Sequence, residues 1–367
     1  MRRLSSTVAR LTALRKGMLP SSNGASRLTA TAFSPNPGAL AAKTYIPANL
    51  PPGAPLVVVL HGCTQNAALY DRGSGWSQLA DRHGFALLFP EQERGNNFNL
   101  CFNWYLAADA RRGRGEAASI AAMIAQITKT HRLDPARVFI NGLSAGGAMT
   151  MVMLACYPET FAGGAIIAGL PFAVAEGTPD ALEAMRGQSL PSRRALAASV
   201  ASASDYRGPW PSLSVWHGTA DHVVSSANAG AIVDQWRDRA GLGNVEGERD
   251  KVDGQRRTIW RDSKGKIAIA RYDIAGMGHG TPLATRGGPL SASPGDACGQ
   301  VGPHMLEAGI CSTSRLAESW GIATGAKVSR QPAPNQPAPH FTPPSVTPQS
   351  GVGAVIEDAL RAAGLMR

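Results

Sequence analysis

The chain has 367 residues, 44% of them hydrophobic, enough for one large domain or two small ones around a real core. Its net charge of +10 invites a nucleic-acid partner, but seven basic side chains fall in the first 70 residues, which hold no acid; the other 297 carry 29 basic against 26 acidic groups, with no groove-lining stripe. No apolar stretch approaches the roughly 20 residues of a membrane-spanning helix, and the five cysteines lack metal-ligand spacing, so no nucleic acid, transmembrane segment, metal or other cofactor is expected.

Residues 1–27 form a basic arm without the continuous apolar run of an ordinary secretory signal, which leaves the compartment open. Leu4, Val8, Leu11, Leu14 and Met18 fall at helical spacing and predict an amphipathic segment resting on the body. Strands are predicted at residues 56–60, 85–89, 137–140, 165–168 and 213–216, and helices at 76–82, 116–131, 145–156 and 228–239. Short apolar strands without alternation, separated by helices, predict an α/β fold, a mostly parallel central sheet with helices on both faces.

Two stretches depart from that rhythm. Residues 171–210 are a polar, helical insertion at a place where such folds carry a lid. Residues 244–274 read as two or three β stretches with a turn at 262–265, leading into a glycine-rich loop at 276–280. The catalytic domain is expected to span 28–330. Beyond it, 331–350 holds seven prolines and predicts an extended linker, and 351–367 predicts an amphipathic helix. Docking of that helix on the core is expected, with contact to an apolar surface as the alternative. Cys298 and Cys311 lie in a Gly/Pro-rich segment and can close a short loop in an oxidising compartment, while Cys156 reads as a buried thiol.

Gly142-Leu143-Ser144-Ala145-Gly146 follows a predicted strand and opens a predicted helix. In a chain this rich in glycine, Gly-x-Ser-x-Gly arises by chance about 0.3 times, so its placement carries the argument rather than its occurrence. At a strand-to-helix junction the nucleophile turns sharply and its neighbours two residues away are crowded. A serine hydroxyl needs an imidazole base oriented by a carboxylate. Asp221 follows the strand ending at Trp216, and His279 lies on the glycine-rich loop after the last β stretch. This gives the order Ser, Asp, His on three strand-end loops. His304 is the rival base. The developing oxyanion needs two donors, assigned to the backbone N–H groups of Ala145 and Cys63, with the Cys63 side chain incidental.

Five ordered motifs together resemble the polyhydroxybutyrate depolymerase family of esterases over about residues 28–325. They are Leu60-His61-Gly62-Cys63-Thr64-Gln65, Cys101-Phe102-Asn103-Trp104-Tyr105, the serine motif, His217-Gly218-Thr219-Ala220-Asp221 and Gly276-Met277-Gly278-His279-Gly280. The resemblance implies an α/β-hydrolase fold and hydrolysis of short-chain polyester or oligoester, with relatives that cleave feruloyl and acetyl esters of plant polysaccharide. Its triad maps onto Ser144, Asp221 and His279, and Gln65, Asn103 and Trp104 become the expected substrate contacts. An esterase of feruloyl, acetyl or other small esters is the alternative function; a non-catalytic granule- or membrane-associated protein is a second.

Overall fold

The computed structural model describes residues 26–285 and 298–323. Most of the basic arm, the proline-rich segment and the expected C-terminal helix lie outside the described residues.

Ten strands form one sheet: β1 (Thr29–Ala30), β2 (Ala41–Tyr45), β3 (Leu56–Leu60), β4 (Ala86–Glu91), β5 (Val138–Leu143), β6 (Gly163–Ile167), β7 (Ser212–Gly218), β8 (Glu248–Val252), β9 (Gln255–Arg261) and β10 (Ile267–Ile274). Their spatial order is β1-β2-β4-β3-β5-β6-β7-β10-β9-β8. The six strands from β4 to β10 in that order run parallel. Antiparallel pairs extend both edges. The sheet is that of an α/β hydrolase. The predicted β stretches of 244–274 are its β8–β10 edge, with the turn at 262–265 between β9 and β10.

The central strands are apolar throughout because both their faces are covered. All five residues of β3 are buried; Leu56, Val58 and Leu60 face one core cluster, Val57 and Val59 the other. At the sheet's edge β8 reads Glu-Arg-Asp-Lys-Val and is largely exposed. Its Asp250 pairs with Arg257 of β9, and such charge discourages pairing with a further strand.

The helices are α1 (Ala67–Ser74), α2 (Trp76–His83), α3 (Gly115–Thr130), α4 (Ala145–Cys156), α5 (Thr178–Met185), α6 (Arg193–Ala203), α7 (Ala227–Arg237) and α8 (Ser312–Ser319). Every residue of α4 is buried, as its nearly all-apolar sequence requires, and its one hydroxyl, Thr150 Oγ1, donates to Gly146 O (2.9 Å). Residues 171–210 contain α5 and α6, which are fastened to α7. Gln235 Nε2 donates to Phe172 O (2.8 Å) and Ser199 Oγ (3.0 Å), and its Oε1 accepts from Phe172 N (2.7 Å).

Two small strands, β11 (Thr281–Leu283) and β12 (Met305–Glu307), pair in parallel beyond the main sheet. The Cys298–Cys311 disulfide closes the loop around β12, and Trp320 stacks on Phe139 at 4.9 Å. Elements that the sequence pattern does not predict include α1, β2 and α8. The helix α1 has little apolar periodicity and is started by Asn66, whose Oδ1 accepts from Leu69 N (2.9 Å). β2 is a mixed edge strand, paired antiparallel to β4. No helix among the described residues is long and apolar enough to cross a membrane.

Candidate active site

The carboxyl ends of β3, β4, β5, β7 and β10 lie along one rim of the parallel sheet, and the expected site residues leave from those five ends, Asn103 and Trp104 from the long segment after β4.

Ser144 stands between β5 and α4 at φ 56°, ψ −118°, a strained conformation for a residue with a side chain. Its amide is fixed by donation to Ile167 O (2.9 Å). A Cβ on Gly142 would come within 2.3 Å of Gly146 O, and one on Gly146 within 2.5 Å of the carbonyls of Leu60 and His61. Both glycines are therefore steric necessities of the turn. Ser144 itself is half-buried, so its hydroxyl reaches the rim.

His279 Nδ1 donates to Asp221 Oδ2 at 2.8 Å, with the two side chains 7% and 0% exposed. The other oxygen, Oδ1, accepts from the amides of Val223 and Val224, both at 2.9 Å. Burial pushes the Asp221 carboxyl up, but hydrogen bonds from His217 and His279 and the Val224 amide together hold it well below the usual carboxylate range. The carboxylate stays ionised and keeps the imidazole proton on Nδ1, which leaves Nε2 as the free base.

The loop after β3 is held by its own side chains. His61 Nδ1 donates to Gly62 O (2.8 Å), while His61 Nε2 accepts from Gln92 N (3.1 Å). Burial pushes His61 below the usual imidazole range, against the bond to Gly62 O. Fixing the Gly62 carbonyl fixes the same peptide's N–H, which belongs to Cys63. Among the described residues neither that N–H nor the N–H of Ala145, at the start of α4, has a protein acceptor.

The Cys63 side chain is not incidental: it forms a disulfide with Cys101, joining the β3 loop to the Asn103-Trp104 segment. Thr64 N adds a bond to Asn99 O (2.7 Å) across the same seam. Gln65, Asn103 and Trp104, the expected substrate contacts, are each only 6% exposed. Gln65 Oε1 accepts from Gly62 N (2.9 Å), and Asn103 Oδ1 accepts from Asn97 Nδ2 (2.9 Å), so their polar atoms brace the loops.

Three residues beyond the expected set belong to the site's surroundings. Buried Glu116 accepts from Asn103 N (2.8 Å) and Gln92 Nε2 (2.6 Å). His304 donates from Nδ1 to His279 O (3.1 Å) and packs edge-on to the His279 ring at 5.7 Å. Burial lowers the His304 imidazole, against the bond to His279 O. It touches His279 rather than Asp221, so the rival base lacks the orienting carboxylate. His217 Nε2 lies 3.4 Å from Asp221 Oδ2, and the four-residue spacing His217-x-x-x-Asp221 is the signal that could have found it.

Similarity to known proteins gives the family. The profile of the family described as Esterase PHB depolymerase matches residues 43–258. The poly(3-hydroxyalkanoate) depolymerase C of Paucimonas lemoignei is 39% identical over 292 residues, covering 79% of this chain and 69% of that protein. Feruloyl esterase B of Talaromyces stipitatus is 31% identical over 274 residues, 72% of this chain and 75% of that one. Among solved structures, the acetyl xylan esterase from Aspergillus awamori superposes with a TM-score of 0.66 at 22% identity, covering 82% of this chain and all of that one, a likeness of fold. The chain belongs to the PHB depolymerase family of esterases and is a carboxylic-ester hydrolase of the α/β-hydrolase fold.

Proposed function

We propose that the chain hydrolyses hydroxyalkanoate polyester or its oligomers through an acyl-enzyme on Ser144, with His279 as base and Asp221 as its orienter. The observation that carries this reading is the buried Asp221–His279 pair on the rim where the strained Ser144 turn stands, in a chain 39% identical to a poly(3-hydroxyalkanoate) depolymerase. Ser144 Oγ attacks the ester carbonyl carbon as His279 Nε2 takes its proton. The N–H groups of Cys63 and Ala145 receive the oxyanion, and His279 returns the proton to the departing alcohol oxygen. Water then repeats the sequence on the acyl-enzyme and releases the acid.

Two disulfides among the described residues fit an oxidising compartment. Residues 351–367 are a candidate contact with a polymer or granule surface. Removing 331–367 is expected to leave turnover of small soluble esters nearly unchanged; if the helix contacts polymer rather than docking on the core, it also slows attack on insoluble particles several-fold.

The deciding experiment compares amorphous polymer, hydroxybutyrate oligomers, p-nitrophenyl esters and methyl ferulate on purified enzyme. The polyester reading expects kcat/KM on oligomers to exceed that on methyl ferulate at least tenfold. The reverse order would move the assignment to feruloyl or other small esters, which the 31% identity to a feruloyl esterase keeps in view.

A further inference from the structure

Asp221 is approached by two imidazoles. His279 Nδ1 lies 2.8 Å from Oδ2, and His217 Nε2 lies 3.4 Å from the same oxygen. His217 is 1% exposed and sits within β7, four residues ahead of Asp221. Its Nε2 is closer to a second acceptor, Val224 O, at 2.9 Å. Both neighbours are acceptors, so Nε2 carries the proton; it donates to Val224 O and holds its positive edge 3.4 Å from the Asp221 carboxylate oxygen.

The opposite nitrogen, Nδ1, is buried with no hydrogen-bond partner. A proton there would be left without an acceptor in the protein interior, at a high cost. A side chain needed only for packing at this position has no use for either nitrogen. An imidazole that leaves one nitrogen orphaned while the other spans Val224 O and Asp221 Oδ2 is retained for that span.

The span closes a ring. Val224 N donates to Asp221 Oδ1, Val224 O accepts from His217, and His217 reaches back to Asp221 Oδ2. The carboxylate is thus held at both oxygens by one short segment. The titratable groups facing the Asp221–His279 pair are His217 from the end of β7 and His304 from the segment before β12. Of the two, only His217 lies against the carboxylate.

We propose that His217 is a positioning residue for the triad, a second imidazole that fixes the Asp221 carboxylate and draws part of its charge away from His279. The proposal rests on Asp221 and His279 acting as orienter and base. Each donor on a carboxylate weakens the support it gives to a neighbouring imidazolium. Removing the His217 donor therefore leaves His279 easier to protonate and Asp221 less well aimed.

The test uses His217→Phe, which keeps a ring but has no donor, and His217→Gln, whose Nε2 can occupy the place of the imidazole Nε2. Activity on a soluble p-nitrophenyl ester is measured across pH, beside Ser144→Ala and Asp221→Asn. The expected result for His217→Phe is a fall in kcat of about tenfold with KM nearly unchanged. The acidic limb of its kcat/KM profile moves to higher pH, and His217→Gln recovers most of both. A purely structural role predicts no movement of the limb. Wild-type kcat and limb in His217→Phe, or equal damage in His217→Gln, overturns the proposal. High activity in Ser144→Ala or Asp221→Asn would instead overturn the catalytic reading beneath it. If His217→Phe does not fold, His217→Leu takes its place in the same pH profile, with the same outcomes supporting or overturning the proposal.

Discussion

Ala220 donates its amide to Met277 O at 3.0 Å, which joins the loop carrying Asp221 to the loop carrying His279 just ahead of each side chain. Thr219 reinforces the seam twice, through its amide to Ile274 O (2.9 Å) and through its hydroxyl, which accepts from Gly276 N (2.9 Å). The approach is possible only because residue 218 lacks a side chain. A Cβ on Gly218 would fall 2.1 Å from Met277 O, a backbone atom that cannot swing aside. Gly218→Ala is therefore expected to lower kcat/KM at least a hundredfold, on the order of what a displacement of about 1 Å in a catalytic group costs. Full activity at an unchanged melting temperature would contradict the lacing of the two loops.

The three proposed catalytic residues act as one unit, so their losses do not multiply. Ser144→Ala alone is expected to reduce turnover by at least about a thousandfold with the fold retained, since one hydroxyl on a half-buried residue is removed. Asp221→Asn replaces an acceptor of the His279 proton with an amide that also fits the wrong tautomer, and it cripples the enzyme without unfolding it. Adding His279→Ala to Ser144→Ala costs little more. Rates from the single and double variants that multiplied would show that the residues work separately.

The placement of these three residues was legible in the sequence because each position is local. The turn at Ser144 is written in the glycines two residues either side, and Asp221 and His279 each sit on a short loop directly after a strand. The parallel core was legible for the same reason, since a strand buried on both faces has no alternation to hide it. What was not legible depends on contacts between distant segments. Cys63 is 38 residues from Cys101, and nothing in the spacing says that the β3 loop turns toward that segment. Glu116 reads as an acidic residue in the first turn of a helix, a common surface position, yet it is fully buried. Gln65 and Asn103 lie beside the expected site in sequence, but their polar atoms close their own loops.

The disulfide itself should matter to catalysis. It joins the loop bearing the Cys63 amide to the segment that packs Trp104, and the Thr64 amide bond to Asn99 O is the nearest backbone tie across that seam. Replacing Cys63 and Cys101 together by alanine loosens the loop while leaving the backbone amide of residue 63 in place. The expected outcome is a fall in kcat of about tenfold or more, together with a melting temperature several degrees lower. If the double variant melts lower but turns over at the wild-type rate, the bridge serves stability alone.

Glu116 gives a prediction in pH. Burial pushes its carboxyl up from 4.5 to about 8, with the bonds from Asn103 N and Gln92 Nε2 acting in the opposite sense. In the unfolded chain the group returns to its ordinary value. Between those limits the folded state holds a proton that the unfolded state has released. Stability from this group is thus complete below about pH 4.5 and is lost as pH rises toward and through 8. Glu116→Gln is uncharged at every pH and removes the contribution. Melting temperatures of the two proteins, taken from pH 5 to pH 9, isolate it from the other titrating groups. The wild type is expected to lose ground against the variant steadily up to about pH 8 and then to level off, because above that pH the group is ionised in both states. A difference between the two proteins that stayed constant over the range would mean that Glu116 does not titrate there. The same experiment bears on the site, because the carboxylate holds Asn103 N and, through Gln92, the peptide that meets His61. A drop in kcat centred near pH 8, where the folded-state group ionises, would connect the ionisation of Glu116 to the placement of the β3 loop.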